Sequence, residues 1–333
     1  MGEALRYTPG VNAEVYGGAD TREDFFMVRG FLQNFPFIDG LNTQTFFSVL
    51  VPAVETYGLE RVEVLRGPAS VLYGQAYPGG LVNLVTKKLT EEPLHEISVE
   101  TGTYGEVGTH FDFSGPVNKD GTLLYRLTGL ATSSGTQTAF VQDKRFYTAP
   151  ALTWKPNADT SFTLLAHYGY RDGGNPSVDL PAVGTLLSNP NGQIDTGFYD
   201  RDTNFDTFRR KEESVGWQFE HAFSDNLKVR QNLRYTHTAL TEDLIGNAGL
   251  EADQRKLDRY AYKAILPAWT RSWWTIRPKR NSIPVRCRIP CCSALITFTP
   301  STIGQNRMRA RRRSTCTTRS TARTSCCRMC TTA

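Results

Sequence analysis

From about residue 95 onward, apolar and polar side chains alternate one for one over segment after segment, and a period of two is the signature of a β-strand with unlike faces. In LKVRQNLRYTH, Leu227, Val229, Leu233 and Tyr235 share one face, and Lys228, Arg230, Asn232, Arg234 and Thr236 take the other. Leu123, Tyr125 and Leu127 oppose Arg126 and Thr128 in the same way. Further dyads set Ile97 and Val99 against Ser98 and Glu100, and Phe111 and Phe113 against His110 and Asp112. Phe162, Leu164, Ala166 and Tyr168 oppose Thr163 and His167, and Trp217 and Phe219 oppose Gln218 and Glu220. In YTAPALTWK the expectation is a bulge or local break, because Pro150 has no N–H to give to a ladder.

The links between these strands alternate in length. Short, turn-rich connections are expected at 117–121, 155–159 and 224–226, and longer excursions at 133–144, 172–205 and 238–253. Short turns at one end and long loops at the other describe a membrane-spanning barrel. Tyr125, Trp154, Tyr168, Tyr170, Trp217 and Tyr235 are placed to form its interfacial girdles. A helical membrane protein is excluded, since no run approaches the ~20 apolar residues that a spanning helix needs. A soluble all-β sandwich is the competing reading.

Composition changes abruptly near the C-terminus. All seven cysteines fall between Cys287 and Cys330, and Asp258 is the last acidic residue. Residues 259–333 carry 16 Lys/Arg and no Asp/Glu, which leaves 38 − 16 = 22 basic and all 33 acidic side chains in residues 1–258. That tail has no apolar period. Three explanations compete: a shifted reading frame, which is favoured, a basic nucleic-acid or membrane-surface arm, and a cysteine metal site. The spacings around Cys287, Cys291 and Cys292, and around Cys326, Cys327 and Cys330, lack the paired C-x2-C of a zinc site.

Residues 1–90 show short β-rich pieces and many glycines, with a turn at Gly67-Pro68, a short helix-like stretch over Ala69–Tyr73 and a Gly79-Gly80 turn. The stretches DTREDFFMVRGF and LERVEVLRGPASVLYGQAYPGGLVNLVTKK closely resemble the plug domain of TonB-dependent outer-membrane receptors. The following EPLHEISVETGTYG resembles the first barrel strand of the siderophore-receptor branch, and the similarity continues through YTAPALTWKPNADTSFTLLAHYGYRD and FSDNLKVRQNLRYTH, most like ferrichrome-type receptors.

The resemblance implies a mainly β fold: a partial plug of mixed α/β character over 1–90, then about eight strands of an antiparallel transmembrane barrel over 91–264. The intact family closes that barrel with about 22 strands. Residues 265–333 would be an out-of-frame, disordered tail. The implied function is TonB-dependent import of ferric siderophore across the bacterial outer membrane, with TonB, the chelate and outer-membrane lipid as partners, and no nucleic acid and no resident cofactor or metal. No enzyme motif is present. The five histidines (95, 110, 167, 221 and 237) are scattered over separate strands and are read as lumen or rim residues.

By the same resemblance Arg29 matches a plug arginine that contacts the chelate, Gln44 falls near an apex position, and Phe46, Phe47 and Tyr57 supply aromatic walls. Arg61, Glu63 and Arg66 fall to the plug's polar network. Where ferrichrome-type receptors have a Tyr/Trp-rich ligand loop after the fifth strand, this chain has GGNPSVDLPAVG. The chain starts inside the plug, without a secretory signal or TonB box, and is expected to be a non-functional fragment whose intact parent is an outer-membrane protein. The alternative is a soluble β-rich binding protein with a basic nucleic-acid- or metal-binding tail.

Overall fold

The computed structural model describes residues 2–15, 20, 22, 24–33, 35–43, 54–67, 73, 77–224 and 227–270. Among these described residues, fifteen strands follow a short helix, Gly2–Leu5. The N-terminal part holds two small sheets. One is antiparallel, β1 (Val11–Asn12), β2 (Phe26–Val28) and β3 (Phe31–Gln33); the other runs in the order β5 (Leu41–Asn42), β4 (Phe37–Ile38), β7 (Gly80–Thr86), β6 (Leu59–Arg66). Their common core is Leu5, Phe26, Val28, Ile38, Val82 and Leu84, all buried.

Two glycines explain the PGG signature. Gly80 has φ +140°, and a Cβ there would lie 2.2 Å from the Leu65 carbonyl oxygen; at Gly79 it would lie 2.1 Å from that of Val28. Gly80→Ala is therefore expected to cost this domain ~1–3 kcal/mol through backbone strain and overpacking, read as a shift in its denaturant midpoint at unchanged m-value. Of the helix-like stretch expected at Ala69–Tyr73, only Tyr73 lies within the described residues.

The remainder is one eight-stranded antiparallel sheet in strict sequence order, from β8 to β15. Its members are β8 (Leu94–Thr101), β9 (Val107–Pro116), β10 (Leu123–Gly135), β11 (Gln142–Asn157), β12 (Thr160–Gly173), β13 (Thr207–Ser224), β14 (Leu227–Leu250) and β15 (Leu257–Thr270). Links at one end are tight, at 117–122 and 158–159, and Ser224 of β13 pairs with Leu227 of β14 at that end; at the other end the link between β12 and β13 takes all of 174–206.

The expected excursion at 238–253 is corrected. β14 continues unbroken to Leu250 because Thr238, Leu240 and Thr241 keep the two-residue period and pair with Ala268, Leu266 and Ile265 of β15. The excursion at 133–144 shrinks to 136–141 for the same reason. At Pro150 the strand stays continuous without a bulge, but its ladder to β12 is locally broken. Pairing to β12 lapses at Ala149 and Pro150 and resumes at Ala151↔Leu165 with unchanged register, while β10 pairs Leu127 with Pro150 throughout.

Register fixes which faces meet. One row crosses five strands as Tyr125, Leu152, Leu164, Trp217 and Leu233. The adjacent row, on the opposite face, runs Arg126, Ala151, Leu165, Gly216 and Arg234. The apolar face is the exposed one: Ile97 and Val99 are 70% and 71% exposed, whereas Asp112, Arg126 and Arg210 are buried.

The sheet is thus inside-out relative to a soluble protein, as a barrel wall facing lipid must be. From Glu213, an outward charge at the loop end, to Phe223 at the turn end, β13 takes ten steps, ~33 Å along the strand. Tilted by about 40°, that spans ~25 Å of height, the thickness of an outer-membrane apolar band. In a soluble sandwich this face would be buried against a second sheet.

Candidate functional site

The polar face of the sheet would be untenable if it enclosed nothing, since buried charges need partners. The N-terminal domain supplies them. Asp39 and Gly40 form the turn between β4 and β5 with φ of +50° and +76°, the left-handed geometry that an Asp-Gly pair favours in a two-residue hairpin. This turn presents Asp39 to β14: its carboxylate lies 2.7 Å from Arg234 Nη2, and its carbonyl accepts from Asn232 Nδ2 at 2.9 Å. The same carboxylate accepts from the backbone N–H and hydroxyl of Thr86, at 3.0 and 2.9 Å.

A second clasp lies where β7 leaves for the sheet. Asp112 accepts from Arg126 at 2.9 and 2.7 Å, from Lys87 at 2.8 Å and from the Thr128 hydroxyl at 3.0 Å. Arg126 also donates to the Lys88 carbonyl. Further toward the loop end, Arg145 bridges Glu55 at 3.3 Å to Asp143, which also takes Arg171 at 2.6 Å. His167 and Arg210 share Glu212, at 3.1 and 3.4 Å. Between these groups a cavity of ≈ 70 Å³ separates Ile38, Val54 and Glu55 from Tyr147, His167 and Arg210.

The arrangement is a ladder of alternating charges between a small domain and an enclosing wall. Among the described residues no group of three His, Cys, Asp or Glu is placed to hold a metal ion. An interface of this kind holds the domain in register against the sheet.

The residues singled out in the sequence fall in different places. Tyr57 closes part of the interface: its ring packs on His110 of β9 at 4.9 Å and lies 3.9 Å beneath Lys87 Nζ, and its buried hydroxyl has no hydrogen-bond partner among the described residues. Arg29 is exposed, at φ +53° in the β2–β3 turn, with its N–H bonded to the Gly10 carbonyl. That turn abuts Gly79, at the Arg66 end of β6, whereas Tyr57 precedes the Leu59 end. Eight residues of strand, ~23 Å, separate the two ends. Gln44, Phe46 and Phe47 lie outside the described residues.

Arg61 pairs with Glu63 at 2.7 Å; Glu63 accepts from Asn83, and Asn83 accepts from the Gly40 N–H. Arg66 is exposed at the far end of the same strand. The Asn83 hydrogen bond, and then Arg61, hold the Glu63 carboxyl below its usual 4.5. A depressed carboxylate stabilises the fold above its unfolded value and loses that contribution as pH falls through it. Glu63→Gln should cost under about 1 kcal/mol at pH 7, with the difference from the parent vanishing in acid; urea titrations across that range measure it.

Asp39, Asp112 and Arg145 carry the interface without having stood out as site residues in the sequence. For Asp39 the one readable signal was an Asp-Gly pair flanked by the apolar Ile38 and Leu41, in IDGL.

Residues 1–81 match the family model described as TonB-dependent Receptor Plug Domain. The ferrichrome outer membrane transporter/phage receptor of Escherichia coli K12 is 38% identical over 273 residues, 80% of this chain and 36% of that protein. The ferrioxamine B receptor of Salmonella typhimurium LT2 is 35% identical over 257 residues, 74% of this chain and 36% of the relative. This chain thus spans about a third of the length of those curated relatives.

Pseudomonas aeruginosa FpvA, solved bound to heterologous pyoverdines, superposes with a TM-score of 0.74 at 20% identity, covering 83% of this chain and 36% of the other. The closed form of the ferric-catecholate import receptor Fiu from Escherichia coli K12 gives 0.72 at 20% identity, over 85% and 42%. At such identities the superpositions speak to the fold: a plug enclosed by barrel strands. Plug signature, inside-out sheet and relatives agree, and the chain belongs to the TonB-dependent receptors.

Proposed function

We propose that this chain supplies the plug and the first eight wall strands of a receptor that imports a ferric siderophore, of the hydroxamate class, across the bacterial outer membrane under the action of TonB. The observation that carries this reading is the pairing of an apolar exposed sheet face with a charged inner face clasped to a plug. The long connection at 174–206 then lies outside the cell and the tight turns face the periplasm. TonB engages the receptor through a segment N-terminal to the plug.

Arg29 is the candidate for the anionic oxygens of the chelate, for which a guanidinium is suited. Gln44, Phe46, Phe47 and Tyr57 are the candidates for polar and aromatic contacts. Because Arg29 and Tyr57 stand at opposite ends of β6, one compact chelate reaches one group or the other. Titrating Arg29→Ala and Tyr57→Ala variants with ferric hydroxamate, followed by tryptophan fluorescence, decides which.

The function itself is tested by uptake of radiolabelled iron from ferric hydroxamate into cells whose sole siderophore receptor is a hybrid, in which residues 1–264 of this chain replace the corresponding part of the ferrichrome receptor. Uptake that ceases when TonB is removed supports the reading. Uptake indifferent to TonB, or absent while TonB is present, contradicts it.

A further inference from the structure

The segment GGNPSVDLPAVG, which departs from the ferrichrome-type pattern, opens the 174–206 connection, and its Asn175 is fully buried. Asn175 donates its backbone N–H (2.9 Å) and Nδ2 (2.6 Å) to the Asp206 carboxylate, so the first and last turns of the loop are stapled together. The Tyr199 hydroxyl donates to the other Asp206 oxygen at 2.7 Å, and the Ser177 hydroxyl donates to Asp200 at 2.5 Å. Arg201 fastens the same stem to β14 by donating to the Pro176 and Ile245 carbonyls, each at 2.9 Å.

The Asn175 side-chain oxygen points elsewhere. It accepts from Arg22 Nη1 at 2.8 Å, across 153 residues of sequence. That nitrogen also lies 3.1 Å from Glu242 Oε1 of β14, and Nε and Nη2 of Arg22 are held by Asp20 at 2.9 Å each. The Arg22 side chain is 15% exposed. One plug side chain therefore touches the loop stem and the wall at a single point, through charge-assisted hydrogen bonds that are stronger than neutral ones.

We propose that Arg22 is a positioning residue that couples the plug to the 174–206 loop. While its guanidinium is seated between Asn175 and Glu242, the loop stem is drawn onto the plug; displacement of the plug segment around residues 20–22 frees it. Because coupling between sites is reciprocal, closure of the loop over a cargo and seating of that plug segment favour one another. The inference rests on the proposed function only in taking the loop to be extracellular.

Hydrogen exchange, read by mass spectrometry on the whole chain refolded in detergent micelles, tests it without cargo or TonB. Failure of iron uptake and failure of this coupling are thereby told apart. The loop amides of Gly184, Ile194 and Phe198 are hydrogen-bonded within the loop. Arg22→Ala is expected to speed their exchange roughly tenfold, while amides of β7 and of the β10–β11 pair keep their rates. Arg22→Lys, which retains the charge but cannot serve Asp20 and Asn175 together, should shift the same amides less. Adding Glu242→Gln to Arg22→Ala should add little, since both act along one chain of contacts. Unchanged loop exchange in Arg22→Ala overturns the proposal. So does an acceleration shared equally by β10–β11, which would make Arg22 a general stabiliser.

Discussion

Asp112→Ala is expected to lower the unfolding free energy of the refolded protein by ~3–5 kcal/mol, the cost of stranding a buried cation. The side chain of Asp112 is 3% exposed and that of Arg126 8%, so the guanidinium is left largely desolvated once its carboxylate is gone. Lys87 would lose its partner at the same time and be left over the Tyr57 ring. Urea titration in micelles, followed by tryptophan fluorescence, measures the loss. The Asp112→Ala/Arg126→Met double variant should recover much of it, because the buried guanidinium is then gone and only the more exposed Lys87 is left without its carboxylate. A loss below about 1 kcal/mol would mean that the clasp is hydrated and that the plug is not held there.

The second large effect belongs to the outer face. Leu164 is 42% exposed and sits between Leu152 and Trp217 in the middle of the apolar row. In a bilayer, Leu164→Arg should cost ~2–4 kcal/mol, falling toward zero for substitutions nearer the rim. On a soluble protein an exposed leucine replaced by arginine would change stability by no more than about 0.5 kcal/mol. Unfolding from phosphatidylcholine vesicles therefore separates the two architectures by a factor that no assay error could hide.

The wall was legible in the sequence and the clasp was not, for a physical reason. Alternation is a local property, written every second residue, so the dyads around Leu123–Thr128 and Leu227–Thr236 fixed the strands and their faces. Which face met water was settled by the lengths of the connections. The excursion wrongly expected at 238–253 shows the limit: EDLIGNAGL has the polar and glycine content of a loop, yet pairing with β15 keeps it extended. Tertiary context overrides propensity in strands more readily than in helices.

The clasp joins Asp39 to Arg234 and Glu55 to Arg145, pairs separated by 195 and 90 residues, and nothing local marks such partners. Arg22 shows the same thing, since its acceptors Asn175 and Glu242 lie on a loop and a strand far along the chain. The plug signature was readable because its glycines answer to backbone geometry, as at Gly79 and Gly80, where neighbouring carbonyls leave no room for a Cβ.

The most direct test of the inside-out wall is quenching of Trp154, which is 53% exposed on the outward face, by lipids brominated along their acyl chains. The chain has five tryptophans, so the signal is the difference between the parent and Trp154→Phe, both reconstituted in vesicles. Strong quenching of the Trp154 component by brominated acyl chains is the predicted result. A Trp154 component untouched by brominated lipid but quenched by aqueous acrylamide would contradict the membrane-spanning wall.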